Sequence, residues 1–414
     1  TTKGAARGAM FAGGHSKLYV KNCEISAEDG VLPWDYEDNV MPGNMRRVPW
    51  MLGLRGNCRA TNLADYADAL YEDCTLTSEA WGVMSTDGVR RCRLNLKNCD
   101  VAITGPSGYG AFSIGDCIDP FEDCRIDVPD YALIMANETA SGVFKNTKVD
   151  AGRFAVMCFR NEGGKLVITD GSVMNTDETT VVVKGCAPII EADNCVLSPG
   201  NGIILQLMNS DDPGNPAGYY KDPTEDDTFD PTHDNKTARE TYDVVATFKD
   251  MTVTGDFYNG STGKKGDTGP KMEMAPPPGA GPEGPGGPGG PGGGPGGPGA
   301  KGNGYDGVRN MALTFDNAAV TGIISASKAL HRVEKVFKDN CEELGEVINT
   351  VQPVVNNGVI VTLKNGATWT VAGTSYLSSL TIDDTSSVVG TLLVDGKETA
   401  LVPGIYTGAL TLTI

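Results

Sequence analysis

The chain has 414 residues, 40% hydrophobic and 21% charged, with a formal net charge of -19. That length allows a large core, as one elongated domain or two to three compact ones, and the ordinary apolar content argues against bulk disorder. The acidic balance argues against a nucleic-acid partner, whose phosphates need a basic surface, and no apolar run approaches the roughly 20 residues of a membrane span.

No signal peptide is visible, but the chain opens at Thr1 inside what reads as a repeat. Residues are expected to have been removed upstream, either a cleaved export signal or further coils, and the expected location is secreted or cell-surface.

The first repeat phrase is Val20-Lys21-Asn22-Cys23-Glu24-Ile25. It returns as Tyr71-Glu72-Asp73-Cys74-Thr75-Leu76, Leu96-Lys97-Asn98-Cys99-Asp100-Val101 and Phe121-Glu122-Asp123-Cys124-Arg125-Ile126. Cruder copies stand around Thr147, Ser172, Cys195, Met251 and Ala318. From Cys74 to Cys195 the steps are 25, 25, 23, 25 and 23 residues. A fixed period of this size signals stacked repeats. A second apolar run precedes a polar loop in each repeat, as in Ala9–Ala12, Val83–Thr86, Ala111–Ile114, Ala132–Met135, Ala155–Cys158, Val181–Lys184 and Ile203–Gln206. These runs are too short and too β-branched for helices. One repeat cannot bury its own apolar side, and stacking can.

The result is an all-β parallel solenoid, and three faces per coil fit 23–25 residues. Six of the eleven cysteines (Cys23, Cys58, Cys74, Cys99, Cys124, Cys195) sit at or near the phrase. They read as a ladder of reduced, buried thiols, with disulfides between coils as the alternative. No CxxC pair supports structural zinc.

Three insertions interrupt the repeats. Residues 28–50 carry Trp34, Tyr36, Arg46, Arg47 and Trp50. Residues 209–243 are acidic, with Asp211, Asp212, Asp222, Glu225, Asp226, Asp227, Asp230 and Asp234. These hard oxygen donors suit Ca²⁺, chiefly Asp211, Asp212, Asp226, Asp227 and Asp230, although no EF-hand spacing is present; the alternative is a solvated acidic loop.

Residues 259–307 are Gly/Pro-rich, with glycine at every third position from Gly281 to Gly302. That is the collagen period, or else a polyproline loop. The divisions are therefore a β-helix over 1–258, the Gly/Pro segment over 259–307 and further coils over 308–414. Leu330, Val333, Phe337, Cys341, Leu344 and Ile348 form one helical stripe, which predicts an inserted α-helix over 327–349.

Two blocks carry a family resemblance. One is Arg7-Gly8-Ala9-Met10-Phe11-Ala12-Gly13-Gly14 leading into Leu18–Cys23. The other is Leu363-Lys364-Asn365-Gly366-Ala367-Thr368-Trp369-Thr370-Val371 followed by Thr374–Ile382. They resemble the bacterial right-handed parallel β-helix repeat proteins of the pectin-lyase-like superfamily, in particular its secreted, adhesin-like group. The resemblance implies a right-handed coil and polysaccharide or surface-protein partners. The chain departs from that group in being richer in charge and aromatics and poorer in Ser and Thr, which weighs against a purely passive role.

Aligning the second strands sets His15, Asp87, Asp116, Asn137, Glu138, Arg160, Asn161, Glu162 and Lys184 along one side. Such a row resembles the grooves in which pectin-lyase-like enzymes hold acidic polysaccharides; solvated strand ends explain it equally. A lyase needs a base and a cation beside the substrate carboxylate, roles open to Arg160, Arg55, Arg46 or Arg47. A glycosidase needs two facing carboxylates, for which Asp87 and Asp116 are spaced one coil apart. Trp34, Tyr36, Trp50 and Trp81 suit a sugar-stacking platform or the core of an insertion.

The lead expectation is a secreted or surface β-helix that binds glycans or proteins without catalysis. The alternatives are a polysaccharide lyase or glycoside hydrolase acting on an acidic polysaccharide, with or without Ca²⁺ as cofactor, and a self-assembling protein that joins through the solenoid ends or the Gly-X-Y tract.

Overall fold

A computed structural model describes residues 2–3, 8–30, 52–86, 91–211, 243–261, 309–334, 336, 338–354 and 358–414. The periodic glycine tract, most of the 28–50 insertion and residues 212–242 of the acidic insertion lie outside the described residues.

The described chain is nearly all β, built from ladders of parallel strands in the manner of a solenoid. One coil runs Trp81–Thr86, Arg93–Lys97, Asp100–Ile103. The next runs Gly108–Ile114, Ile118–Glu122, Arg125–Val128. Each strand pairs in parallel with its equivalent one coil on: Ala111 with Met84, Phe121 with Leu96, Val101 with Ile126. The three strands of a coil define face 1, face 2 and face 3 in that order. Face 1 begins at Met10–Ala12, face 2 at Lys17–Lys21, and face 3 includes Glu24–Glu28.

The corner between faces 2 and 3 explains the repeat phrase. Asn22, Asp73, Asn98, Asp123, Asn146, Asp170, Asn194, Asp250, Asn317 and Asn365 occupy it with φ between 47° and 57°. Asn and Asp tolerate this left-handed region better than other residues with a side chain. They alternate along the stack up to Asn317, so each amide can donate to a carboxylate below it. Asn98 Nδ2 donates to Asp73 Oδ1 at 2.7 Å, Asn146 to Asp123 at 2.6 Å, and Asn317 to Asp250 at 2.6 Å. One residue earlier, opposite charges face each other across coils. Lys21 pairs with Glu72 at 2.8 Å, Lys145 with Glu122 at 3.2 Å, Lys249 with Asp193 at 3.0 Å and Lys364 with Asp316 at 3.1 Å.

Inside, alternate residues of all three faces form one long apolar core. Phe121 and Phe144 stack at 5.0 Å between ring centres, and Phe248 and Phe315 at 5.5 Å. All eleven cysteines are free, and all but Cys23 are buried. Asp119 breaks the apolar pattern: it is fully buried and neither carboxylate oxygen has a hydrogen-bond partner. Burial, reinforced by Cys92, pushes its carboxyl well above the usual range.

The α-helix predicted over 327–349 does not form. Ile324–His331 is a strand, Lys338–Glu343 a 3₁₀ turn and Val347–Val351 a second strand, antiparallel to the first. Leu330 and Ile348, two members of the supposed stripe, face each other across this hairpin and are 45% and 62% exposed. The physical reason is the ladder edge. Phe257, Tyr258 and Asn259 offer a parallel edge to Ile324, Ser325 and Ala326, and filling it outweighs local helix propensity. Gly345, at φ 83°, then turns the chain.

At the far end Ser375–Ile382 takes Gly404–Thr413 as an antiparallel neighbour, followed by Thr391–Val394 and Lys397–Thr399. The last face 2 strand is thus covered, and the outermost strand carries Lys397 and Glu398, which discourage edge pairing.

Asn98→Asp is expected to stack carboxylates at positions 73, 98 and 123. It should cost about 1 kcal/mol at neutral pH, from the lost hydrogen bond and the like charges. Urea melts check this: the deficit should fade below about pH 4, where carboxylates protonate. For Asp119 the sign is the opposite of a paired acid. Its raised native pKa means that stability falls as pH rises from the unfolded carboxylate pKa of about 4 towards the native one. Asp119→Asn should therefore gain on wild type as pH rises through that window; parallel pH profiles would refute this.

Candidate functional site

The row predicted at the strand ends lies at the corner between faces 1 and 2. His15, Asn137 and Arg160 turn the chain there with φ of 61°, 62° and 52°. His15 stacks on Tyr66 with ring centres 4.5 Å apart. Asp116 accepts the Arg91 backbone N–H and pairs with its guanidinium at 3.4 Å. Asn161 braces its own corner, donating to the Ala140 carbonyl at 2.8 Å and accepting from Gly164 N at 3.0 Å. Glu162 pairs with Arg309 at 2.8 Å.

Asp87, the Glu138 side chain, Trp34, Tyr36, Arg46, Arg47 and Trp50 lie outside the described residues. Arg55 stands away from the row, bonded to the Asp339 carbonyl at 2.7 Å and to Glu342 at 3.1 Å. The row thus reads mainly as corner architecture, with Asp116 and Glu162 engaged by arginines.

The outer side of face 1, where a groove would run, is a second apolar core. Trp81, Tyr109, Phe112, Tyr131, Ile134 and Phe154 cluster there and are buried, joined by Leu52 and Leu54. Every residue of Gly108–Ile114 is buried, as expected of a strand covered on both sides. Trp81 meets Tyr109 edge-on at 5.9 Å and is closed to solvent, so it offers no open stacking platform.

Two buried ionic centres fasten segment 338–351 over this cluster. In the first, Arg153 pairs with Glu346 at 3.1 Å and Asp130 at 3.5 Å, and donates to the Tyr131 hydroxyl at 2.8 Å and to the Gly53 and Leu344 carbonyls. Its guanidinium lies 4.9 Å from the Tyr131 ring centre and 5.1 Å from that of Phe154. Burial pushes the Asp130 and Glu346 carboxyls up, against the pull of Arg153.

The second centre is Asp211. Its carboxylate is completely buried and meets Lys184 Nζ at 2.8 Å, His331 Nε2 at 2.8 Å and Gly345 N at 2.5 Å. Burial alone would raise its pKa, but Lys184 and His331 outweigh it and hold the carboxyl well below the usual range. Gly345 lies flat on Phe154 and Lys184, where a Cβ would come within 2.9 Å and 3.2 Å of their side chains.

This centre corrects two expectations. Lys184 is not an open ligand contact, and Asp211 spends its oxygens on the protein rather than on Ca²⁺. Asp212, Asp226, Asp227 and Asp230 lie outside the described residues. No group of three His, Cys, Asp or Glu side chains suited to a metal occurs among the described residues. No helix among them is long and apolar enough to cross a membrane.

Two open surfaces stand out among the described residues. A shallow polar hollow of 220 Å³ opens on the corner of Asn98, Asp123 and Asn146, with Cys99, Cys124, Arg125 and Lys148 around it. That is below the usual range for ligand pockets, about 300–1,000 Å³. The other surface is face 3 of the later coils. There Thr252, Ala319, Thr368 and Ser387 stand in one row, and Thr254, Thr321, Thr370 and Val389 in the next. All eight are exposed and none is charged. The rows advance about 4.8 Å per coil. The residues stand in the sequence as Thr-Val-Thr, Ala-Val-Thr, Thr-Trp-Thr and Ser-Val-Val, starting at 252, 319, 368 and 387, too unevenly spaced to mark a row. Arg153, Asp130 and Glu346 likewise carried no signal.

Asp211→Ala leaves Lys184 buried without its counter-ion and should cost about 3–5 kcal/mol in denaturant melts. The depressed native pKa places this stabilisation above the unfolded carboxylate pKa of about 4; it is lost as pH falls through the native value. The variant should lack that acid-side loss, and amides of 338–351 should exchange faster in it than in wild type. No family model matches the chain, nor does any curated protein or solved structure.

Proposed function

We propose that the chain is a right-handed parallel β-helix of pectin-lyase-like type that acts outside the cell as a non-catalytic glycan-binding scaffold. The binding surface is the uncharged hydroxyl face formed by Thr252, Thr254, Thr321, Thr368, Thr370 and Ser387.

One observation carries the reading: on a chain of net charge -19, an exposed two-row strip of later coils bears no charge and repeats its hydroxyls in register. Threonine offers a donor, an acceptor and a methyl group together, which suits the mixed C–H and O–H surface of a sugar chain. The absence of catalysis is supported by the pairing of Asp116 with Arg91 and by the apolar packing on face 1. Right-handedness is supported by the near-universal hand of parallel crossovers, and the extracellular placement by the family resemblance.

A glycan array probed with wild type and a Thr254→Lys/Thr370→Lys variant tests the proposal. Wild type should bind extended polysaccharides, and the variant at least about tenfold more weakly, which corresponds to about 1.4 kcal/mol. Equal binding by both would move the site elsewhere. A lyase absorbance screen with and without Ca²⁺ should stay flat; a signal abolished by Asp116→Asn would overturn the non-catalytic reading.

A further inference from the structure

Cys23, Cys74, Cys99 and Cys124 hold the same position on consecutive coils. The residues that follow them pair in register, Glu24 with Thr75, Thr75 with Asp100 and Asp100 with Arg125. Each cysteine carbonyl accepts from the next coil: Thr75 N to Cys23 O at 2.9 Å, Asp100 N to Cys74 O at 3.0 Å, Arg125 N to Cys99 O at 2.9 Å.

Successive coils lie about 4.8 Å apart, inside the Cα separation of roughly 4.4–6.8 Å that a disulfide spans. The Cys74 thiol reaches back into the Cys23 coil, 3.6 Å from the Val20 carbonyl. Cys23 is the one exposed cysteine; the three behind it are buried. The stack therefore has an open end and a protected reserve. Cys92 and Cys117, likewise on neighbouring coils, are both buried and offer no such entry.

We propose that Cys23 and Cys74 form a thiol–disulfide exchange site for low-molecular-weight disulfides of the glutathione-disulfide class. The Cys23 thiolate attacks one sulfur of the incoming disulfide, whose S–S bond breaks and releases one thiolate. Cys74 gives up its proton and attacks Cys23 Sγ in the mixed disulfide, expelling the second thiolate. The two protein thiols lose two electrons and two protons, and the small disulfide becomes two thiols. Cys99 stands one coil further on and can attack Cys74 Sγ, passing the disulfide inward and freeing Cys23. Along that path the Cys124 thiol, one coil on from Cys99, is held against the Glu122 carbonyl at 3.1 Å, and the Cys99 thiol lies against the Lys97 carbonyl at 3.3 Å. Burial raises the Cys74 thiol, so the second step should quicken with rising pH.

The test treats the folded chain with oxidised glutathione, blocks remaining thiols by alkylation and maps the peptides by mass spectrometry. Wild type should yield a Cys23–Cys74 or Cys74–Cys99 link, with the far-UV spectrum unchanged. Cys74→Ala should stall with glutathione on Cys23, and Cys23→Ser should leave Cys74 alkylatable. Wild type that retains glutathione on Cys23 beside a free Cys74, or that keeps Cys23, Cys74 and Cys99 all as free thiols, overturns the proposal. So does linkage of Cys74 in Cys23→Ser at the wild-type rate.

Discussion

The side-chain amide and carboxylate at the face 2 to face 3 corner do two jobs at once. They accept a left-handed backbone that most residues resist, and they join each coil to the next. The turn sets where the phrase sits, and the phrase sets which strands pair. Everything inside follows from that register: the buried stacks, the stacked phenylalanines and the column of thiols. Individually the corner bonds and their neighbouring ion pairs are weak, being exposed to water. Collectively they favour the observed pairing, because skipping a coil would set carboxylate against carboxylate or amide against amide.

The second structural theme is how one face became an interior. Face 1 carries aromatic and aliphatic residues on both of its sides, so it needs a cover. Part of that cover is segment 338–351, held by Arg153 and Asp211. Both centres bury charge, which is costly unless each charge is matched. The matching is nearly complete: Arg153 has two acidic partners, and Asp211 has an ammonium, an imidazole and a backbone N–H. The result is specificity of docking. A segment with few strong local preferences is pinned in one place by groups far away in the chain.

Most of the β architecture was legible because its cause is local and repeated. The Asn/Asp-Cys phrase and the second strands could be read residue by residue. The row from His15 to Lys184 could be drawn from the repeat spacing, but the partners of its described members could not. Whether Lys184 faces solvent or an aspartate depends on Asp211, whose position depends on a hairpin more than a hundred residues later. The helix expected at 327–349 failed for the same reason. Its stripe was real, but the vacant ladder edge at Phe257–Asn259 was invisible without the fold. Arg153 gave no hint, since its partners come from three separate places in the chain.

The alternation at the corner has a consequence for how such a chain can lengthen. Adding or deleting a single coil between Asn22 and Asn317 would bring like next to like, either two amides or two acids. Adding or deleting two coils preserves the order. The natural unit of growth is therefore a pair of coils, and the ladder acts as a parity rule on the repeat number.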